Sequence, residues 1–215
     1  MKAKTILYSI LFLAQFAFIP SLLANEVSIK IEWVNDLEGD FSFKEKWDYP
    51  ENVFRSQHGQ LVCDWICPEE LDQMRDDEGK IIPDSLEAYY QLLDTTHLYH
   101  SLQSTAQVYE WAGSNYIHFK KLNDGSVRGT STCNASTHSS LILELDKQFL
   151  KASIHFNSIR DLGIHEFQAT SGSIKIDQKL FEQGIVKAAF DLTFKNTLDQ
   201  QYGLYWKGQI YSIIQ

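Results

Sequence analysis

Two histidines in the segment 94–100 have the spacing and neighbours that a reactive site requires. The segment reads DTTHLYH. His97 and His100 continue an apolar stripe at helical spacing, so the sequence predicts both imidazoles on one face of a helix. Asp94 lies one turn before His97, where a carboxylate can fix a histidine tautomer. The pair can act as metal ligands or as a base with its orienting acid. Packed or capping residues at a helix end explain the same pattern more simply.

Three cysteines, Cys63, Cys67 and Cys133, are candidates for a disulfide. The odd number leaves one thiol over when two of them pair. In an extended strand Cys63 and Cys67 would be about 13 Å apart, so they can pair only where the backbone turns between them. A bridge to Cys133 would instead tie the helical segment to the sheet. We predict one disulfide and leave its partners open.

The same three cysteines form a zinc site in the alternative interpretation. Together with His138 they supply three thiolates and one imidazole, an acceptable structural zinc set by residue type. The spacings fit none of the common zinc modules, and thiolate zinc sites compete poorly with oxidation outside the cytosol. We therefore predict no cofactor and keep zinc as the alternative.

Aromatic residues supply a further candidate site. The sequence contains five Trp and ten Tyr residues, many of them in segments with a strand pattern. An aromatic face for a carbohydrate or a protein partner is predicted from Tyr109, Trp111, Tyr116, Tyr205 and Trp206. The general preference of Tyr and Trp for half-buried strand positions explains the same residues without a ligand.

The N-terminal segment predicts export from the cytoplasm. Lys2 and Lys4 precede an apolar run over residues 6–19, and the small residue Ala24 follows. A positive start, an apolar run of this length and a small residue at the cleavage position define a secretory signal peptide. We therefore predict a signal peptide over residues 1–24. An uncleaved membrane anchor is the alternative.

The charge of the chain limits its partners. The 215 residues have a formal net charge of -9, and loss of the two N-terminal lysines would make it -11. An acidic chain lacks the clustered Lys and Arg that a nucleic-acid backbone requires. Anionic lipid is disfavoured for the same reason. No second long apolar segment follows the signal, so no stable membrane insertion is predicted after cleavage.

Patterns of period two dominate the rest of the sequence and predict strands. Apolar and polar residues alternate over 27–33, and the same alternation recurs from residue 105 onward. Pro68 and Pro83 mark two helix starts. We predict one α+β domain over residues 25–215. It is mainly an antiparallel β-sandwich or partly closed barrel, with a two-helix insertion near residues 68–104. Gly208 predicts a bulge in the last strand.

Searches for reactive motifs give little. The sequence has no G-x-S-x-G elbow and no glycine loop for phosphate. We therefore expect an exported, periplasmic or secreted, non-enzymatic binding protein. Its partner would be a protein or a small ligand of the cell envelope, as for an inhibitor, an immunity-type protein or a small-ligand-binding module. The alternative is a metal-dependent or other hydrolase with a site around Asp94, His97, His100 and the segment from Cys133 to His138.

Overall fold

The computed structural model describes residues 27–65 and 67–215. The predicted signal peptide lies outside these residues. The strands are β1 Ile29–Val34, β2 Trp47–Asp48, β3 Val53–Arg55, β4 Leu61–Cys63, β5 Leu98–Tyr99, β6 Leu102–Gln107, β7 Ile117–Lys121, β8 Val127–Ser131, β9 Ser139–Leu145, β10 Phe149–Asn157, β11 Ile164–Asp177, β12 Ile185–Phe194 and β13 Leu204–Ile213. The helices are α1 Glu69–Gln73, α2 Leu86–Leu92 and α3 Gln178–Glu182, and 3-10 turns span Ser42–Glu45 and Pro83–Ser85.

Nine strands form one large sheet that nearly closes on itself. Their order is β6-β13-β12-β11-β1-β10-β9-β8-β7. The sheet nearly closes because Ile214, directly after β13, forms a parallel bridge to Phe119 of the edge strand β7. The backbone N–H of Gln215 donates to the Phe119 carbonyl at 2.9 Å, and the N–H of Lys121 donates to the Gln215 carbonyl at 3.1 Å. The predicted partly closed barrel is confirmed.

The first strand makes this sheet a mixed one. β1 pairs in parallel with β11, from Ile31 opposite Ile174 to Val34 opposite Asp177. On its other side it pairs antiparallel with β10. β10 and β11 pair with each other only over the part of their length near the turn that joins them. β1 therefore occupies the place where these two strands separate, and the sheet is mixed although mainly antiparallel.

Inward-pointing residues of the long strands form the main core. Successive side chains on a strand point to opposite faces, so every second residue enters the barrel. Phe119, Leu143, Phe156 and Trp206 have no exposed surface. They belong to one cluster of buried side chains drawn from all nine strands. The centre of the barrel is therefore packed with side chains, as in other small barrels.

The segment from β2 to β5, residues 47–99, is here called the insertion. It contains both predicted helices, α1 and α2, and two small sheets that pair β2 with β5 and β3 with β4. Its own small core is formed by Val62, Cys63, Leu71, Ile81, Tyr89 and Leu93. None of the helices in the described part of the chain is long and apolar enough to cross a membrane.

A disulfide joins Cys63 and Cys67, with the Cα atoms 6.0 Å apart. Between the two cysteines, Trp65 has a positive φ of 74°. The thiol left over belongs to Cys133, which is exposed. A structural disulfide is typical of a protein that folds in an oxidising compartment.

The predicted extension of the second helix to His100 is wrong. α2 ends at Leu92, and Leu93 is already extended, with ψ at 123°. The Asp94 carboxylate accepts the backbone N–H of Thr96 at 2.9 Å. A short acidic side chain that binds the backbone in this way competes with the helix. His97 and His100 therefore follow the helix and do not share one of its faces.

The predicted bulge at Gly208 is also wrong. β13 pairs without a register shift on both sides, with Gly208 opposite Phe190 and opposite Ser104. A Cβ atom at this position would lie 2.3 Å from the Gln103 carbonyl oxygen. The glycine is needed because a neighbouring backbone approaches closely.

Candidate functional site

A groove of about 860 Å³ lies where the insertion rejoins the barrel. One wall is the end of the insertion around β5, and the other is formed by β7 and the end of β13. Its apolar and aromatic lining includes Leu98, Tyr99, Tyr116, Tyr211 and Ile213. The volume is within the range of small-molecule sites in proteins.

A carboxylate with three donors lies beside this groove. Asp48 Oδ2 accepts from His100 Nε2 at 2.7 Å, from the Tyr116 hydroxyl at 2.9 Å and from Asn115 Nδ2 at 3.4 Å. The insertion positions this group through the β2–β5 pair, in which Asp48 is opposite Leu98. We call Asp48, His100, Asn115 and Tyr116 the junction cluster, because it links the insertion to β7.

The junction cluster keeps its carboxylate ionised. Burial opposes ionisation of Asp48, but the hydrogen bonds from Tyr116 and His100 outweigh this effect and lower the pKa of Asp48. Burial and the hydrogen bond to Asp48 raise the pKa of Tyr116 well above its ordinary value. Tyr116 therefore remains a neutral phenol that donates to the carboxylate.

An aromatic stack holds His97 at the rim of the groove. Its ring lies on the Trp47 ring with the centroids 3.5 Å apart and the planes 13° apart. Tyr49 contacts both rings edge-on, at 5.1 Å from Trp47 and 5.6 Å from His97. These contacts hold the orientation of the His97 ring, and an oriented ring with a polar edge is suited to contact a ligand.

His100 has the geometry of an oriented histidine, with Asp48 as its carboxylate, whereas the predicted pair was Asp94 with His97. A carboxylate can only accept, so His100 donates its Nε2–H to Asp48 and leaves Nδ1 as the acceptor of the neutral ring. In the described part of the chain, no serine, threonine or cysteine side chain forms a hydrogen bond with His100. The cluster can therefore bind and orient polar groups, and it contains no assembled nucleophile.

The predicted hydrolase residues do not all converge. His97 and His100 line the groove, whereas Asp94 and His138 do not. The His138 ring nitrogen Nε2 lies 3.2 Å from the Ala135 carbonyl oxygen, inside its own turn. Cys133 lines a neighbouring depression that shares Tyr116 with the groove, and its sulfur is 2.8 Å from the Ser140 hydroxyl oxygen.

The predicted zinc set is not assembled either. Two of its proposed thiolates, Cys63 and Cys67, are joined in the disulfide and cannot act as ligands in this state. Over residues 27–65 and 67–215, no three His, Cys, Asp or Glu side chains lie together in a way that could hold a metal ion.

The five residues of the predicted aromatic face are distributed over different parts of the barrel. Trp206 is fully buried, and Trp111 packs against it with the ring centroids 5.4 Å apart. Tyr109 stacks on a core phenylalanine. Tyr205 is adjacent to Trp206 on β13 and points to the opposite face. Of the five, only Tyr116 lines the groove.

The sequence analysis missed Asp48 and Trp47. Asp48 and His100 are 52 residues apart in the chain, and no local spacing connects them. The available signal was the weak strand pattern FSFKEKW just before Asp48. In the structure residues 42–45 form a 3-10 turn, and the strand is only Trp47–Asp48. Pairing that short strand with the segment around His97 would have placed Asp48 near His100.

Comparison of the chain with known protein families, curated proteins and solved structures finds no match. No function can be transferred from a relative. A functional proposal for this chain therefore depends on the geometry of the groove and of the junction cluster.

Proposed function

We propose that this chain is an exported, non-enzymatic binding protein that holds a small, partly apolar ligand in the groove. The groove itself is the observation that carries this proposal. It combines aromatic and aliphatic walls with a few fixed polar groups, the combination by which proteins usually hold small molecules. Export is supported by the N-terminal sequence pattern and by the disulfide.

The hydrogen bonds of the junction cluster support a binding role. His100 and Tyr116 both direct their donors to Asp48, at 2.7 and 2.9 Å. Polar groups held in this way present a preorganised surface, which lowers the entropy lost on ligand binding. The ligand would place its apolar part against Tyr99 and Ile213 and its polar part near the cluster.

A titration with the apolar fluorophore N-phenylnaphthylamine tests this proposal. Tyr99→Ala and Ile213→Asn remove apolar surface from the groove. Each is expected to weaken binding about fivefold, the equivalent of about 1 kcal/mol of lost apolar contact. Ile159→Asn is the matched control, because Ile159 is 68% exposed, Ile213 is 69% exposed, and Ile159 lies on the distant β10–β11 turn.

Two results would reject the groove as the ligand site. One is that the fluorophore does not bind the wild-type protein. The other is that Ile213→Asn and Ile159→Asn change its affinity equally, because binding would then depend on general surface hydrophobicity.

A hydrolase is the second candidate, and the Asp48–His100 pair is the observation that favours it. A histidine oriented by a carboxylate can act as a general base, and loss of such a base costs about 100-fold or more in rate. Hydrolysis of a p-nitrophenyl ester by wild-type protein and by His100→Ala distinguishes the two candidates. Equal rates are expected for a binding protein, with His58→Ala as the control for a surface histidine. A loss of that size confined to His100→Ala would favour the hydrolase.

A further inference from the structure

Trp65 is presented to solvent in an unusual way. It is 87% exposed, more than any other large apolar side chain in the described part of the chain. Its φ of 74° is in the left-handed region, which a bulky residue rarely adopts and which costs about 1–3 kcal/mol. The strained backbone and the exposed ring each lower the stability of the folded chain at this one residue. Such outliers persist where the surrounding structure holds them, and they are frequent at functional sites.

The base of this turn is rigid. The disulfide between Cys63 and Cys67 closes the turn that carries Trp65. The Cys63 backbone N–H donates to the hydroxyl of the fully buried Tyr89 at 3.2 Å. The Asp64 carboxylate accepts the Trp65 N–H at 3.1 Å. Residues 63–65, which lead into the Trp65 side chain, are therefore held by these contacts, which reduces the entropy that Trp65 would lose on contact with a partner.

The surroundings of Trp65 are strongly acidic. Residues 47–99 contain twelve Asp and Glu and three Lys and Arg, a formal net charge of -9. Residues 100–215 contain ten Asp and Glu and eleven Lys and Arg, a formal net charge of +1. Glu69, Glu70 and Asp72 are exposed on α1, directly after the disulfide. A partner that docks here must tolerate negative charge around an apolar anchor.

Exposed apolar residues are concentrated in the same part of the molecule. Nine of the eighteen large apolar side chains that are exposed over the described residues lie in the insertion, which is about a quarter of the chain. Phe54, on the hairpin strand that pairs with β4, is 46% exposed. Apolar groups in a charged surround are typical of protein interaction sites.

We infer that Trp65 anchors a protein-docking surface on the insertion, and that its partner presents an apolar face edged by Lys and Arg. Trp is enriched among the few residues that dominate binding energy at interfaces. Charge complementarity around such an anchor selects the partner and accelerates association. Trp65 does not line the groove. The inference is therefore independent of the proposed small-ligand site.

The test uses the oxidised full chain and a fluorescein-labelled helical peptide of leucine and lysine, whose apolar face is edged by lysines. Fluorescence anisotropy measures its affinity. Trp65→Ala is expected to weaken binding about tenfold or more, as for an interface hot spot. Trp65→Gly is expected to do the same while accepting the positive φ, which guards against a folding effect. Ile164→Ala, at a residue 69% exposed on the barrel, is the control and should bind like wild type.

A charge variant tests the second half of the inference. Glu69→Gln/Glu70→Gln is expected to weaken binding about threefold and to reduce its dependence on salt, since exposed charges act over a screened distance. Asp161→Asn/Glu166→Gln, at exposed acids on the barrel, is the matched control and should leave affinity unchanged.

Three results would overturn the inference. The first is that the wild-type protein does not bind the peptide. The second is that Trp65→Ala and Trp65→Gly bind it as tightly as wild type. The third is that a leucine–glutamate peptide binds as tightly as the lysine peptide. The affinity of the groove for N-phenylnaphthylamine is measured separately on the same Trp65 variants. Failure of the docking surface is thus distinguishable from failure of the small-ligand site.

Discussion

The barrel and the insertion distribute their apolar residues in opposite ways. The barrel places twenty-five buried side chains in one continuous cluster, whereas the insertion buries six in a separate one, counted over the described residues. The insertion in turn exposes Trp65, Tyr99 and other large apolar groups, and its formal net charge is -9. The larger core is thus in the barrel, and the surfaces on which the two proposals rest are in the insertion and at its junction with the barrel.

This difference explains why the insertion contains the disulfide. A core of this size contributes little stability, and small protein units commonly need a covalent link. The barrel has a large core and no such link among the residues that the structure describes. The insertion therefore depends more on the oxidation state of its cysteines than the barrel does.

The largest loss of stability is expected from truncating a buried leucine. Leu143 in the barrel and Leu71 in the insertion are both fully buried and can be compared. Leu143→Ala is expected to lower the free energy of unfolding by about 2–5 kcal/mol, through lost contacts and a cavity. Leu71→Ala should reduce hydrogen-exchange protection mainly over residues 47–99, because its core is separate. If Leu71→Ala weakens protection throughout the barrel as Leu143→Ala does, the two regions unfold as one unit.

A smaller effect is expected from removing the disulfide. Cys63→Ser/Cys67→Ser should destabilise the insertion by about 2 kcal/mol, the loop-closure contribution of so short a loop in the chain-entropy model. Hydrogen exchange and a thiol titration under denaturing conditions measure the outcome. Wild-type protein should release one thiol, from Cys133, and Cys133→Ser is the control for loss of a sulfur. Equal loss of protection in barrel and insertion would contradict the separate roles.

The smallest effect concerns the junction between the two regions. The pKa of Asp48 is lowered in the folded protein, so its ionised form stabilises the junction at neutral pH. That contribution is lost as the pH falls through the lowered pKa. Asp48→Asn should therefore be less stable than wild type at neutral pH, by less than about 1 kcal/mol because Asp48 is partly exposed. The difference should shrink on acidification.

Urea unfolding of both proteins over a series of acidic and neutral pH values measures this change. Asp77→Asn, at an exposed acid away from the junction, is the control. A difference between wild type and Asp48→Asn that grows on acidification would contradict the role assigned to Asp48.

The barrel was largely predictable from the sequence, because strand periodicity is a local signal. Alternation over residues 141–145 and 186–194 placed β9 and β12 correctly, and the same alternation located their buried faces. The parallel placement of β1 was not predictable, since it depends on where β10 and β11 separate in three dimensions.

The candidate site was predicted only in part, for a physical reason. His97 and His100 were predicted as candidates, but on a helix. The helix ends earlier because the Asp94 carboxylate accepts the backbone N–H of Thr96, and the apolar spacing does not reveal this contact. Asp48 comes from a distant segment that reaches the histidines only through the β2–β5 pair. The net charge of the whole chain does not reveal that most of the excess of acidic residues lies in residues 47–99.

Backbone amide shifts on titration with N-phenylnaphthylamine test the central claim most directly, namely that the barrel is a packed scaffold and binding occurs at its junction with the insertion. The account predicts shifts in the segments 97–101 and 116–118, which line the groove. It predicts none around Leu143 in the barrel core. Shifts centred on Leu143 and Phe156, with the groove segments unchanged, would contradict it.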